Sequence, residues 1–87
     1  MYLLKNQKQL DVYLKPEEFK RIRTKMGFTQ HDLAEVLGLS GKKAVSHIEV
    51  GLRNPNKLAA AFLRLLDSLP SKKAQAIMGL LRKYMEN

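Results

Sequence analysis

The sequence predicts an all-α fold of five short helices behind a short extended or strand-like N-terminal arm. Apolar residues recur at three- and four-residue spacing through most of the chain. Glycine or proline interrupts that spacing at Gly27, Gly38, Gly51 and Pro70, and helix-starting residues stand ahead of several runs.

Residues 1–15 form the arm. Asp11-Val12-Tyr13-Leu14 suits a short strand or extended segment, because Val and Tyr favour a pleated surface and Pro16 drives Lys15 out of the helical region. Pro16 fits a first helical turn, Glu17 and Glu18 complement the positive end of the dipole, and Phe19, Ile22 and Met26 form a buried stripe that Gly27 ends. Thr29 caps a second helix by accepting from the amide of Asp32, its stripe is Leu33, Ala34 and Leu37, and Gly38 stands at a left-handed C-cap. A third helix runs from Lys42 or Lys43 to about Val50, with Val45, Ile48 and Leu52 as its apolar spacing and Gly51 as its stop. Asn54-Pro55-Asn56 reads as a turn, after which Leu58, Ala61, Phe62, Leu65, Leu66 and Leu69 are expected to be the core stripe of a fourth helix. Pro70 breaks that helix and Ser71 is expected to cap a fifth, with Ala74, Ile77, Met78, Leu81, Tyr84 and Met85 on one side.

Eighty-seven residues make room for one core, too small for a large catalytic scaffold. The chain carries 16 Lys+Arg against 8 Asp+Glu, a net charge of +8 that seeks polyanions. Between residues 16 and 69 the whole cationic excess falls in residues 38–57, where Lys42, Lys43, Arg53 and Lys57 face the single carboxylate of Glu49. There is no cysteine, so disulfides, thiolate metal sites and cysteine nucleophiles are excluded together, which fits a reducing cytoplasm. The longest apolar run, Leu58 to Leu63, falls far short of the ~20 residues of a membrane span. The opening MYLLKNQKQL lacks the apolar stretch of a secretory signal, so none is expected.

Helices this short need packing partners, since isolated ones need about 12 to 15 residues. The second helix, a glycine-containing turn and the third helix have the lengths of a helix-turn-helix, which presents one helix to the DNA major groove. With Val45 and Ile48 inward, Lys42, Lys43, Ser46, His47 and Val50 point outward. Ammonium, hydroxyl and imidazole groups match phosphate oxygens and the O6 and N7 of guanine.

Residues Pro16 to about Leu69, 54 of 87, resemble the lambda-repressor-like, Xre/Cro-type helix-turn-helix domain. The resemblance lies in Phe19-Lys-Arg-Ile-Arg23, Met26-Gly27-Phe28-Thr29-Gln30, Leu33-Ala34-Glu35-Val36-Leu37-Gly38-Leu39-Ser40, Val45-Ser46-His47-Ile48-Glu49-Val50-Gly51 and Arg53-Asn54-Pro55, in order and at near-family spacing. It implies a phosphate contact and a brace on the recognition helix for Gln30, base reading for Lys42, Lys43 and His47, and a base or phosphate contact for Ser46. It implies a backbone clamp for Arg53, Asn54 and Lys57, and a structural pair for Arg23 and Glu49. Two departures stand out. Gly41-Lys42-Lys43-Ala44 makes the turn one residue longer than usual, which rotates what precedes it by about 100° unless the turn absorbs it, and Gly41 can supply unusual dihedrals. Val50 is apolar where the family commonly has a polar residue.

The implied function is a sequence-specific, double-stranded DNA-binding transcriptional regulator, a dimeric cytoplasmic repressor. Residues 16–69 would bind DNA and residues 70–87 would pack or dimerise. Two half-sites call for a two-fold dimer, with the fourth and fifth helices or the Tyr2–Tyr13 arm as its contact. The alternative is an antitoxin that binds a toxin protein and represses its own operon. An RNA binder would want exposed aromatic platforms, yet Phe19, Phe28 and Phe62 read as buried. His31 reads as a solvated helix residue. With two histidines, no cysteine and no serine beside a base and an acid, no metal, cofactor or catalytic constellation is expected.

Overall fold

A computed structural model describes residues 14–86, which form α1 (Pro16–Lys25), α2 (Gln30–Leu37), α3 (Lys42–Glu49), α4 (Lys57–Ser68) and α5 (Ser71–Met85). Of the expected arm, residues 1–15, the first thirteen lie outside the described residues, and with them the dimer contact expected of Tyr2–Tyr13. Leu14, just before α1, is buried against the core.

Glycine sets the ends of the first three helices. Gly27, Gly38 and Gly51 take φ of 78°, 71° and 86°, left-handed backbone that a Cβ would strain. The next amide then turns back to a helix carbonyl, Phe28 N–H to Arg23 O at 3.2 Å, Leu39 to Ala34 at 2.8 Å and Leu52 to His47 at 2.8 Å. Starts are more varied. The Thr29 hydroxyl accepts from the Asp32 amide at 3.0 Å while the Thr29 amide donates to the Asp32 carboxylate at 3.1 Å, a reciprocal capping box. The Thr29 backbone amide first, and the neighbouring Thr29 side chain second, hold the Asp32 carboxyl below its ordinary value. Asn56 caps α4 by accepting from the Ala59 amide at 2.8 Å. Ser71 does not cap α5: Pro70 holds the cap position with no side-chain hydrogen bond, and Ser71 is already helical.

Phe19, Ile22, Leu33, Val45, Ile48, Leu63, Leu66 and Met78 fill the centre of the core. Helix α3 lies against both α1 and α2, its most extensive contact being with α2, while α4 packs on α1 and α5 packs on α2 and α4. Val36 is buried as well. The sequence spacing did not single it out.

Helix α4 corrects the expected core stripe. Ala59, Ala60, Leu63 and Leu66 face inward, whereas Leu58 is 79% and Leu65 51% exposed, Ala61 is exposed, and Phe62 and Leu69 are half-buried. Small Ala59 and Ala60 let α4 approach its neighbours closely, and rotating the larger stripe inward would overfill that space. Leu52 is likewise not core. It follows the left-handed Gly51, leaves the helical path and is 75% exposed. On α5, Ala74 and Met78 are buried and Leu81 is half-buried, but Ile77, Tyr84 and Met85 are exposed along with Leu80. An open apolar groove of about 420 Å³ runs between α2, α4 and α5, lined by Val36, Leu37, Leu58, Phe62, Leu81 and Met85 among others.

Ion pairs tie the helices together at the surface. Asp67 of α4 accepts from Arg21 Nη2 and Lys25 Nζ of α1, each at 3.0 Å. The Arg21 and Lys25 hydrogen bonds bring its carboxyl down to about 2, and Asp67 in turn raises Arg21. Arg82 of α5 reaches Glu35 of α2 at 3.2 Å.

Candidate nucleic-acid interface

Helix α3 has two unlike sides. Ala44, Val45 and Ile48 are buried, and the hundred-degree step per residue leaves Lys42, Lys43, Ser46, His47 and Val50 on the other side. Lys42, Lys43, His47 and Val50 are exposed and Ser46 is half-buried. The longer turn does not rotate them away. Gly41 takes up the extra residue as the N-cap, at φ 166° and ψ −176°, and α3 then runs unbroken from Lys42. That is extended backbone open to any residue, so the left-handed freedom expected of Gly41 is not called on.

Behind this surface lies a polar brace. Arg23 donates from Nε to Glu49 Oε2 at 2.5 Å and from Nη2 to Oε1 at 3.1 Å, and its Nη1 donates to the Phe28 carbonyl at 2.8 Å. Gln30, the first residue of α2, donates from Nε2 to Glu49 Oε1 at 3.0 Å. The end of α3 is thereby tied to α1, to the α1–α2 turn and to the start of α2. The Glu49 side chain is only 5% exposed and that of Arg23 12%. Neither the Gln30–Glu49 bond nor the Phe28 carbonyl contact is written in any spacing, since both depend on how α2 meets α3.

The brace decides the local electrostatics. Glu49 is the one carboxylate in residues 38–57, and it is turned inward onto Arg23. The groups this stretch shows to solvent are then Lys42, Lys43 and His47 on α3, Arg53 and Asn54 in the following loop, and Lys57 at the first position of α4, all exposed. Helix α3 has no acidic residue in its first turn and no side-chain cap. The result is a cationic, donor-rich strip beside exposed helix amides, suited to a polyanion.

The pattern of the helix-turn-helix family matches residues 19–62, just over half of the chain, spanning the brace, the α3 face and the loop after it. The chain belongs to the lambda-repressor-like, Xre-type helix-turn-helix family. Comparison with curated proteins finds no match, and comparison with solved structures finds none. The Xre-type family is one of DNA-binding regulators rather than enzymes, and its DNA-binding unit is the α2–turn–α3 element described above. Among the described residues no group of three or more His, Cys, Asp or Glu side chains could hold a metal ion, and no helix is long and apolar enough to cross a membrane.

Proposed function

We propose that the protein is a sequence-specific repressor that binds double-stranded DNA as a two-fold dimer in the cytoplasm. The observation that carries this reading is the outward side of α3, cationic and unobstructed among the described residues, with its one carboxylate held behind it by Arg23. In this reading Lys42, Lys43, Ser46 and His47 reach base edges, while Arg53, Asn54, Lys57 and the α2 start at Gln30 hold phosphates. Gln30 then has two tasks, since its amide already braces Glu49.

Dimerisation draws support from the apolar side of α4 and α5. One chain carries one recognition helix, and palindromic operators need two of them about 34 to 36 Å apart. Leu58, Leu65, Leu80 and Tyr84 are each more than half exposed, the kind of apolar surface that a second copy covers. An antitoxin would offer the same side to a toxin chain. A small co-transcribed reading frame whose product co-purifies with this protein would move the assignment there.

The deciding experiment is selection from a random duplex library with the intact protein, repeated with His47→Ala. Recovery of a palindrome, with His47→Ala relaxing one symmetric position, supports both reading and dimerisation. If a dimer neutralises about six phosphates, log affinity falls against log salt with a slope near −5. A flat salt response, or no enriched sequence, defeats the assignment.

A further inference from the structure

DNA reading makes no use of the apolar groove between α2, α4 and α5. Its floor is Val36 with the half-buried Leu37, Phe62 and Leu81, all packed on the core, and the exposed Leu58 and Met85 form its edges. Its 420 Å³ falls at the small end of the roughly 300 to 1,000 Å³ that a compact ligand fills. The chain carries a segment of matching character. Met1-Tyr2-Leu3-Leu4 is apolar, Lys5-Asn6-Gln7-Lys8-Gln9 is polar throughout, and Leu10, Val12 and Tyr13 lead into Leu14, which is buried in the core. An apolar end beyond a polar spacer gives the pattern of two anchors, of which Leu14 is one.

We infer that the groove is the docking site of the chain's own Met1–Leu4 segment. Reach permits it. Thirteen residues precede Leu14, up to about 43 to 47 Å of extended chain, against 38 Å for the longest dimension of the fold. They join α1 where Pro16 lies against Gly51, a Cβ on which would stand 3.7 Å from Pro16 Cγ, and the loop from Gly51 leads straight to Asn56 at the groove. Charge agrees as well. Glu35 and Glu86 stand beside Val36 and Met85; Arg82 takes Glu35, and exposed Glu86 is the carboxylate for Lys5, next to the apolar end. Docking there straps α2 to α4 and α5 and covers Leu58, leaving Leu65, Leu80 and Tyr84 for a second copy. The inference needs only the fold and stands apart from the DNA assignment.

The test uses the full chain. Leu58 is the second residue of α4, where a carboxylate suits the helix dipole, so if nothing covers it Leu58→Asp leaves the melting temperature unchanged or slightly raised. With the segment docked, Leu58→Asp is expected to lower it by about 4 to 8 °C at every protein concentration. Leu4→Asp is expected to do the same, and the two together no more than either alone. Because the chain has no cysteine, Leu4→Cys with Leu58→Cys gives a clean trap. Oxidation is expected to close a disulfide within one chain about tenfold faster than in Leu4→Cys with Lys20→Cys, whose second thiol is on α1 outside the groove. Equal rates overturn the inference. So does a disulfide formed between chains, which would give the groove to the segment of another copy. An unchanged melting temperature for Leu58→Asp overturns it too, as does a Leu58→Asp protein that sediments as a monomer where wild type is a dimer, which would make the groove a subunit interface. None of these results bears on whether α3 binds DNA.

Discussion

Arg23 and Glu49, 26 residues apart in sequence, meet in a two-point pair whose second oxygen also accepts from Gln30. The pair is nearly enclosed, so removing one partner leaves a charge that water does not reach. Arg23→Leu is expected to destabilise the protein by about 3 kcal/mol, measured by denaturant unfolding. The double change Arg23→Leu with Glu49→Leu should recover much of that loss, because it leaves no buried charge unpaired. A loss below about 1 kcal/mol for Arg23→Leu would class the pair with ordinary surface salt bridges and remove the reason for treating it as the brace of α3.

Neighbouring leucines of α4 should behave oppositely. Leu66 is fully buried and Leu65 is 51% exposed. Leu66→Ala should cost about 2 to 5 kcal/mol in unfolding free energy, whereas Leu65→Ala should stay within about 0.5 kcal/mol in the monomer. If the proposed dimer forms through this side, Leu65→Glu should keep the helical circular dichroism and sediment as a monomer where wild type sediments as a dimer. A Leu65→Ala protein less stable than Leu66→Ala would show that the larger stripe faces the core after all.

Asp67 should make stability fall in acid. Its carboxyl, hydrogen-bonded by Arg21 and Lys25, drops from an ordinary 3.8 to about 2. A depressed folded-state value means that the unfolded chain takes up the proton first, so the contribution is complete above about pH 4 and disappears as pH falls through 2. Comparing wild type with Asp67→Asn by thermal melting from pH 7 to pH 2 should show a modest gap that closes over that window and narrows with salt, as the pairs are solvent-exposed. A gap that persists at pH 2 would assign the effect to packing instead of charge.

The punctuation of this chain was readable without coordinates. Gly27, Gly38 and Gly51 end helices because each turn needs left-handed backbone, a demand local enough to appear in the residue itself. The outward placement of Lys42, Lys43 and His47 was readable too, since Val45 and Ile48 fix the inward side. In α4, however, Leu58-Ala-Ala-Ala-Phe-Leu63 is apolar all round, and periodicity reports two stripes without ranking them. The tertiary packing ranks them, and it puts Ala59 and Ala60 inward. Ser71 was misplaced by one position because Pro70, lacking an amide, already serves as the cap residue. Spacing does not show the Gln30–Glu49 bond, because it joins residues 19 apart through the meeting of two helices; the family resemblance alone pointed to Gln30 as a brace on the recognition helix.

The start of α3 carries a cost that a ligand can refund. Its first turn offers two lysines to the positive end of a helix dipole, and Gly41 brings no side chain to meet the leading amides. Alone, that turn is electrostatically dissatisfied, and in the proposed reading the electronegative base edges of a duplex groove supply the missing counter-charge. If that reading holds, tightening of the turn and capture of the duplex share a single free energy, and the bound protein is expected to melt at a higher temperature than the free chain.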